Sequence, residues 1–131
     1  MGKDNFTLIP NGAAGIEDRL QLLYTYGVVE GRFDLQRMVA LGSTNPARIF
    51  GLYPRKGTIA VGSDADIVIY DPSATGTRGA RIHHSRADRS IFEGFKVKGK
   101  PTTVIASGRV QFADGKLKVE RGAGSSSRGS P

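Results

Sequence analysis

The sequence contains no cysteine in its 131 residues. This absence excludes disulfide bridges, cysteine-based zinc sites and thiol nucleophiles. No segment approaches the roughly 18 apolar residues that a membrane-spanning helix needs, and the first residues lack the apolar centre of a signal peptide. We therefore predict a soluble, cytoplasmic protein.

The proportions of residue types are those of a globular domain. Hydrophobic residues make up 38% of the chain and charged residues 24%, which is the usual range for folded proteins. The 18 glycines and 6 prolines indicate many short elements joined by turns rather than a few long helices. We predict one modest core of mixed α and β structure.

The formal net charge of +7 raises nucleic-acid binding as a hypothesis, because clustered Lys and Arg recognise phosphates. The basic residues, however, are spread over several predicted strands and turns, without a helical stripe or interleaved aromatic residues. A solvated basic face is the preferred interpretation, and nucleic acid is not an expected partner. Binding to nucleic acid that weakens steeply with salt would support the alternative of a nucleic-acid-binding module.

Helical spacing dominates the first part of the chain. Apolar residues recur every three or four positions over residues 16–27 and predict an amphipathic helix there. Asp34 is a good N-cap for a second helix, which Gly42 should end. Asn45 should cap a third helix with Pro46 in its first position.

From Gly57 onward the apolar residues follow a period of two, which marks a change to strands. The continuous apolar run 67–70 is bounded by Asp71 and Pro72 and predicts a strand covered on both faces. The other predicted strands are residues 58–61, 95–98, 102–106 and 109–112.

Asp114 and Gly115 separate two alternating segments, 110–113 and 116–119. This pair tolerates the positive φ of a tight turn and predicts a β-hairpin. Residues 122–131 are rich in Gly and Ser and offer almost no apolar surface to offset ordering entropy. We predict that this tail is disordered.

Two segments are too specific to reflect secondary-structure propensity alone: residues 44–57, TNPARIFGLYPRKG, and residues 62–72, GSDADIVIYDP. Together they resemble the dihydropyrimidinase and D-hydantoinase family of metal-dependent amidohydrolases. Shorter matching segments flank them: GKDNF at 2–6, IPNG at 9–12, GIEDR at 15–19, HHS at 83–85 and IFEG at 91–94. The resemblance covers residues 2–124 and stops at Ser125.

The resemblance implies an α/β fold that is incomplete without an N-terminal part. Residues 1–56 would be the last loop and helices of an amidohydrolase (β/α) TIM-type barrel, including post-barrel helices. Residues 57–121 would be C-terminal strands of a small β-sandwich, and residues 122–131 the disordered tail. The family also implies a homotetramer.

For chemistry, the resemblance implies hydrolysis of cyclic ureides, such as dihydropyrimidines and hydantoins, by two divalent metals, usually zinc, with a bridging carboxylated lysine. The family's ligands are a His-x-His pair, that lysine, two further histidines and an aspartate, all of which would precede Met1. This sequence contains no His-x-His. We therefore expect no metal ligand and no catalytic residue in this chain, and predict that it is inactive by itself.

The titratable residues present fit structural roles better. His83 and His84 are adjacent, so in an extended segment their rings point to opposite faces and do not share a metal. Asp64 and Asp66 could suggest an acid and base pair, but their spacing before a strand fits a turn with a capping interaction. Asp4 lies near the family's metal aspartate, yet the motif places that ligand before Met1.

Asn11 is the candidate substrate-binding residue. In the family, the Asn of the IPNG loop presents main-chain groups that hydrogen-bond the ring amide and carbonyl of the substrate. A turn residue with free N–H and C=O groups suits the alternating donors and acceptors of a cyclic ureide. A turn that leads into the next helix is an equally good interpretation from sequence.

Two function classes therefore compete with the basic module mentioned above. The leading hypothesis is a segment of a cyclic-amide hydrolase. The alternative is a non-catalytic relative resembling the collapsin-response mediator proteins, which keep the fold for assembly and partner binding. The residue types at positions 45–47 and at Gly51 resemble the enzymes more than the mediator proteins and therefore favour the enzyme.

Overall fold

The computed structural model describes residues 4–9, 12–86 and 88–119. The disordered tail predicted at 122–131 lies outside these residues. The helices are α1 (Arg19–Leu23), which continues as a π-helical turn (Tyr24–Val29), and α2 (Leu35–Val39), which continues through a π-helical turn (Ala40–Thr44) into α3 (Asn45–Ile49). Single 3-10 turns form at Phe6–Leu8 and Ala80–Ile82, and the strands are β1 (Ile67–Thr77), β2 (Lys96–Ala106), β3 (Arg109–Ala113) and β4 (Lys116–Leu117).

The first predicted helix is present, but Gly27 does not end it. The helix runs on to Val29, and Gly27 is buried against the ring of Phe33. A Cβ at Gly27 would lie 2.0 Å from Phe33 Cζ, so this glycine is required for close packing rather than for termination.

The second helix begins as predicted, because Asp34 Oδ1 accepts a hydrogen bond from the Arg37 backbone N–H at 2.7 Å. Two further predictions were wrong: Gly42 does not end the helix, and Asn45 is inside the helical run rather than at a cap. Pro46 lacks an N–H and would clash with the carbonyl four residues earlier in a regular α-helix. The wider turn before it, in which Asn45 donates to the Ala40 carbonyl, accommodates Pro46 without a break.

The strands form one antiparallel sheet in the order β1-β2-β3-β4. Val104 of β2 illustrates the register: it pairs with Val68 of β1 on one side and with Phe112 of β3 on the other. The predicted hairpin at Asp114 and Gly115 is confirmed, with φ values of 54° and 73°.

Several strand predictions differ in extent. Residues 95–98 and 102–106 belong largely to the single strand β2, and β1 continues past Asp71 and Pro72 through a register shift. The predicted strand at 58–61 was wrong, because these residues form irregular structure and a turn. Periodicity alone does not show whether an apolar segment has a neighbouring strand to pair with.

Much apolar surface is exposed on the described chain. The buried apolar side chains are Met38, Ala47 and Val97. Val68 and Ile69, predicted to be covered on both faces, are 47% and 52% exposed. The described residues therefore do not cover β1 on both faces, and this prediction was wrong for the described part of the chain.

Candidate functional site

The predicted substrate-binding residue, Asn11, lies outside the described residues. The described chain resumes at Gly12, which is exposed and has a φ of +80°. Residues 13–15 have no regular secondary structure, and a turn at 16–18 leads into α1. We call residues 12–16 the entry loop. The residues that directly follow it, Glu17 and Asp18, attach its end to a distant part of the chain.

Asp18, at the start of α1, is fully buried. Its Oδ1 accepts hydrogen bonds from Arg78 Nε and, at 2.9 Å, from His83 Nε2, and its Oδ2 accepts one from the Ser90 hydroxyl at 3.0 Å. A buried carboxylate without such partners would be costly. Its side chain makes no capping bond to α1, and both oxygens instead bind residues between β1 and β2.

The pKa of Asp18 reflects two opposing influences. Burial acts to raise the pKa, whereas the hydrogen bonds from His83, Arg78 and Ser90 and the charge of Arg78 act to lower it. The lowering is larger, so the pKa of Asp18 lies below its ordinary value. Asp18 is therefore an ionised acceptor at neutral pH rather than a general acid.

The guanidinium of Arg78 connects Asp18 to the sheet. Arg78 Nη1 donates to Gln21 Oε1 at 2.6 Å, and Gln21 Nε2 donates to the Gly99 carbonyl on β2, also at 2.6 Å. We call the five connected side chains the Asp18 network: Asp18, Gln21, Arg78, His83 and Ser90. A continuous path of hydrogen bonds thus runs from Asp18, at the start of α1, to the middle of β2.

Glu17 makes a second attachment beside the first. Its carboxylate accepts hydrogen bonds from the backbone N–H groups of His84 and Ser85, at 3.0 and 2.7 Å, and contacts His84 Nδ1 at 3.1 Å. Burial acts to raise the pKa of Glu17, but its bonds to His84 and Ser85 hold the pKa below the ordinary value. Two consecutive acids therefore bind the same short segment.

The two histidines are placed as carboxylate partners. The ring of His83 is almost completely buried on Asp18, and the half-exposed ring of His84 lies on Glu17 and packs edge-on against Phe112, 5.5 Å between centroids. No group of three or more His, Cys, Asp or Glu side chains able to hold a metal occurs within 4–9, 12–86 and 88–119. The described part of the chain does not fit a metal centre.

Asp64 and Asp66 converge on one lysine. Lys56 Nζ lies 3.0 Å from Asp64 Oδ2 and forms a close ion pair with Asp66, whose other oxygen accepts the Ser107 backbone N–H at 2.7 Å. The hydrogen bond from Lys56, followed by that from Ser107, lowers the pKa of Asp66. These two carboxylates hold the loop before β1 against the β2–β3 turn, which is the type of role expected from their spacing.

An open apolar groove of about 620 Å³ lies along α1 beside the entry loop. Phe33 and the aromatic group Tyr26, Phe92 and Phe95 line it, together with Ile16. Neither the groove nor the Asp18 network was predicted from the sequence. The available signal was that GIEDR and HHS, which the network joins, are both segments that carry the family resemblance.

Comparison with known proteins supports this resemblance. The amidohydrolase family profile matches residues 1–111. A dihydropyrimidinase from Rattus norvegicus is 52% identical over 124 residues, covering 95% of this chain and 24% of that protein. A D-hydantoinase from Ralstonia pickettii is 50% identical over 114 residues, covering 87% of this chain and 25% of that protein.

Solved structures of D-hydantoinases are similar to this chain as well. A D-hydantoinase (dihydropyrimidinase) from Thermus sp. superposes with a TM-score of 0.87 at 52% identity, covering 94% of this chain and 27% of that one. This chain spans about a quarter of the length of the relatives it matches. Among the described residues, no helix has the length and apolar character needed to cross a membrane. The chain belongs to the amidohydrolase family, and its resemblance to dihydropyrimidinases and D-hydantoinases is confirmed.

Proposed function

We propose that this chain is the segment of a cyclic-amide hydrolase, of the dihydropyrimidinase and hydantoinase type, that presents and supports a substrate-binding loop. The observation that carries the proposal is the match of nearly the whole chain to such proteins, at 52% identity and a TM-score of 0.87. Similarity of this extent supports a common packing of the matched segment. The activity itself would belong to the longer protein.

Within that protein, residues 1–56 would complete the (β/α) barrel and residues 57–121 a small β-sandwich. The exposed apolar residues support this division. Ile16 and Phe50 would pack against the rest of the barrel, while Val68 and Ile69 would face a second layer of sheet.

Asn11 would recognise the cyclic ureide through its main-chain N–H and C=O groups. The support for this role lies in the entry loop that follows it. Glu17 and Asp18, which directly follow that loop, both bind the connection between β1 and β2. A recognition loop needs such anchoring because binding groups must be held in a productive geometry.

The proposed enzyme uses two divalent metals, usually zinc, with a carboxylated lysine. When bound, they supply a hydroxide nucleophile and polarise the substrate carbonyl. The described residues do not fit such a centre, so we assign the ligands to other parts of the protein and no hydrolytic step to this chain. The isolated chain should therefore be inactive.

A chimaera tests the proposal. This 131-residue chain would replace the matching segment of the Thermus sp. D-hydantoinase, and ring opening of hydantoin and dihydrouracil would be measured. We expect activity within about tenfold of the Thermus enzyme, which is the matched control, and none for the isolated chain. A folded, metal-loaded chimaera without activity would contradict the proposal, and hydrolysis by the isolated chain would overturn the assignment of the ligands elsewhere.

The proposal includes a cytoplasmic homotetramer. The alternative of a non-catalytic assembly protein predicts the same oligomer, because the exposed apolar surface serves either role. The purified full-length protein would separate the two: a tetramer that hydrolyses cyclic amides supports the enzyme, whereas a tetramer without activity supports the assembly protein.

A further inference from the structure

We propose that the π-helical turn after α1 closes part of one edge of β2, and thereby prevents strand pairing between this edge and the same edge of a second copy of the protein. On one side, β2 pairs with β1 from Lys96 to Ile105, whereas on the other side it pairs with β3 only from Thr103 onward. Within the part of the chain that the structure describes, residues 96–100 therefore have no strand on that second side. We call them the capped segment. This role in assembly does not depend on the proposed catalytic function.

Two hydroxyl groups bind the main chain of the capped segment where a neighbouring strand would otherwise bind it. The Thr25 hydroxyl accepts a hydrogen bond from the Lys98 backbone N–H at 2.9 Å, and it lies 3.1 Å from the Lys98 carbonyl oxygen. The Tyr26 hydroxyl donates to the Lys96 carbonyl oxygen at 3.0 Å. An uncovered edge strand presents such N–H and C=O groups as a template for another strand. In the capped segment these groups are already occupied by side chains.

The main chain of the capped segment is also irregular. Gly99 has a φ of +79°, which lies outside the extended range of a β-strand. Its carbonyl oxygen accepts the hydrogen bond from Gln21 Nε2, one turn of helix before Thr25. A left-handed glycine of this kind interrupts the alternation of N–H and C=O groups that a partner strand needs, and such irregularities protect the edges of sheets.

The charge of the capped segment acts in the same direction. Lys96, Lys98 and Lys100 are exposed and occupy alternate positions, and the first two lie opposite Thr77 and Thr75 of β1 rather than opposite acids. Pairing of this segment with its copy would bring two rows of lysines together, and like charges opposite each other destabilise a pair of strands. Lysine is a common protection of edge strands. These basic residues thus have a role in assembly that needs no nucleic-acid partner.

The test uses the chimaera described above with the two hydroxyl groups removed. Thr25→Val and Tyr26→Phe each keep the approximate shape of the side chain, whereas Thr25→Ser keeps the hydroxyl. Thr102→Val is the matched control for threonine, because it removes a bond to the Ile69 carbonyl elsewhere on β2. Tyr53→Phe is the control for tyrosine, since Tyr53 is 42% exposed and lies outside the sheet.

Amide hydrogen exchange resolved at single residues reports whether the cap is present. The Lys98 amide should exchange about tenfold faster in Thr25→Val, because one hydrogen bond is lost, and should stay protected in Thr25→Ser. Val104, which has a strand on both sides, should not change. Unchanged exchange at Lys98 in Thr25→Val would overturn the proposal. Equal acceleration at Val104 would also overturn it, because that result indicates a general loss of stability.

Sedimentation velocity over a concentration series reports the effect on assembly. The chimaera with Thr25→Val and Tyr26→Phe should form larger species at about tenfold lower concentration than the unsubstituted chimaera, and adding Lys96→Thr and Lys98→Thr should lower that concentration further. Thr25→Ser and both controls should match the unsubstituted chimaera. Unchanged assembly of the variant with all the substitutions would overturn the proposal. An inactive but folded chimaera would contradict the proposed function alone, because none of these measurements requires hydrolysis.

Discussion

At the scale of single residues, the main feature of the chain is the ionised and fully buried Asp18. Nothing in its immediate sequence distinguishes it from Glu17, an acid of the same charge. The difference arises from Arg78, His83 and Ser90, which are 60 to 72 positions away along the chain. The role of Asp18 was not predicted from the sequence, because these partners are distant along the chain.

The lowered pKa of Asp18 predicts a specific pH dependence of stability. The ordinary value for this group is 3.8, and the folded value is lower. The folded chain therefore binds this proton less readily than the unfolded chain, and the stabilisation is present above the unfolded pKa and lost as the pH falls through the folded one. We expect the urea midpoint of the chimaera to fall below about pH 4, with a smaller fall when it carries Asp18→Asn. Parallel pH profiles for both chains would contradict this prediction.

Gly99 is a second residue whose role depends on its surroundings. It has a φ of +79°, and a Cβ there would lie 2.4 Å from the ring of Tyr70 and 2.7 Å from that of Tyr24. Burial raises the pKa of Tyr70 to about 12, as expected for a phenol enclosed at this contact.

Gly99→Ala should lower the free energy of unfolding by at least about 2 kcal/mol, because overpacking and backbone strain add. Gly76→Ala on β1 is the matched control, since the nearest atom to its Cβ would be Val97 Cγ2 at 4.0 Å. Urea unfolding of the chimaera carrying each substitution measures the difference. Equal losses would show that the tyrosine contact is not the cause.

At the scale of elements, the features that depend only on neighbouring residues were predicted correctly from the sequence. The Asp34 cap and the Asp114–Gly115 hairpin were both confirmed, since each depends on residues within a few positions. The ends of longer elements were less predictable. Gly42 did not end α2, and β1 continued beyond Pro72, because neighbouring turns and strands compensate for residues that are locally unfavourable.

The hairpin provides a prediction at this scale. Gly115 has a φ of +73°, so Gly115→Ala should lower the free energy of unfolding by about 1 kcal/mol and accelerate amide exchange in β3 and β4. Asp114→Asn is the control, because Asn also tolerates the left-handed conformation that Asp114 adopts. Similar exchange in the two variants would contradict the proposed importance of Gly115 for the turn.

At the scale of the whole molecule, the described chain has few buried apolar side chains and many exposed ones. Ile16, Phe50 and Ile59 are each more than 70% exposed. This distribution is consistent with a segment that spans about a quarter of its relatives and packs against the remainder. It also predicts how the chain behaves alone.

The isolated chain should self-associate and bind hydrophobic dyes, because large exposed apolar patches drive association. Phe50→Ser should reduce light scattering and dye binding without loss of helix content. The buried Met38→Ala is the contrasting variant and should reduce helix content. A monomeric chain with a sharp cooperative melt would count against this prediction and against the proposed packing with further protein.

The sequence by itself determined the family, the helix-to-strand order and the turn at Asp114 and Gly115. These follow from specific motifs and from interactions between near neighbours. Only the tertiary structure joined Glu17 and Asp18 to the segment at His83–Ser90, and Arg78 to Gln21 and β2. Such contacts depend on how distant segments pack, and the periodicity of one segment carries no information about the partner it will bury against.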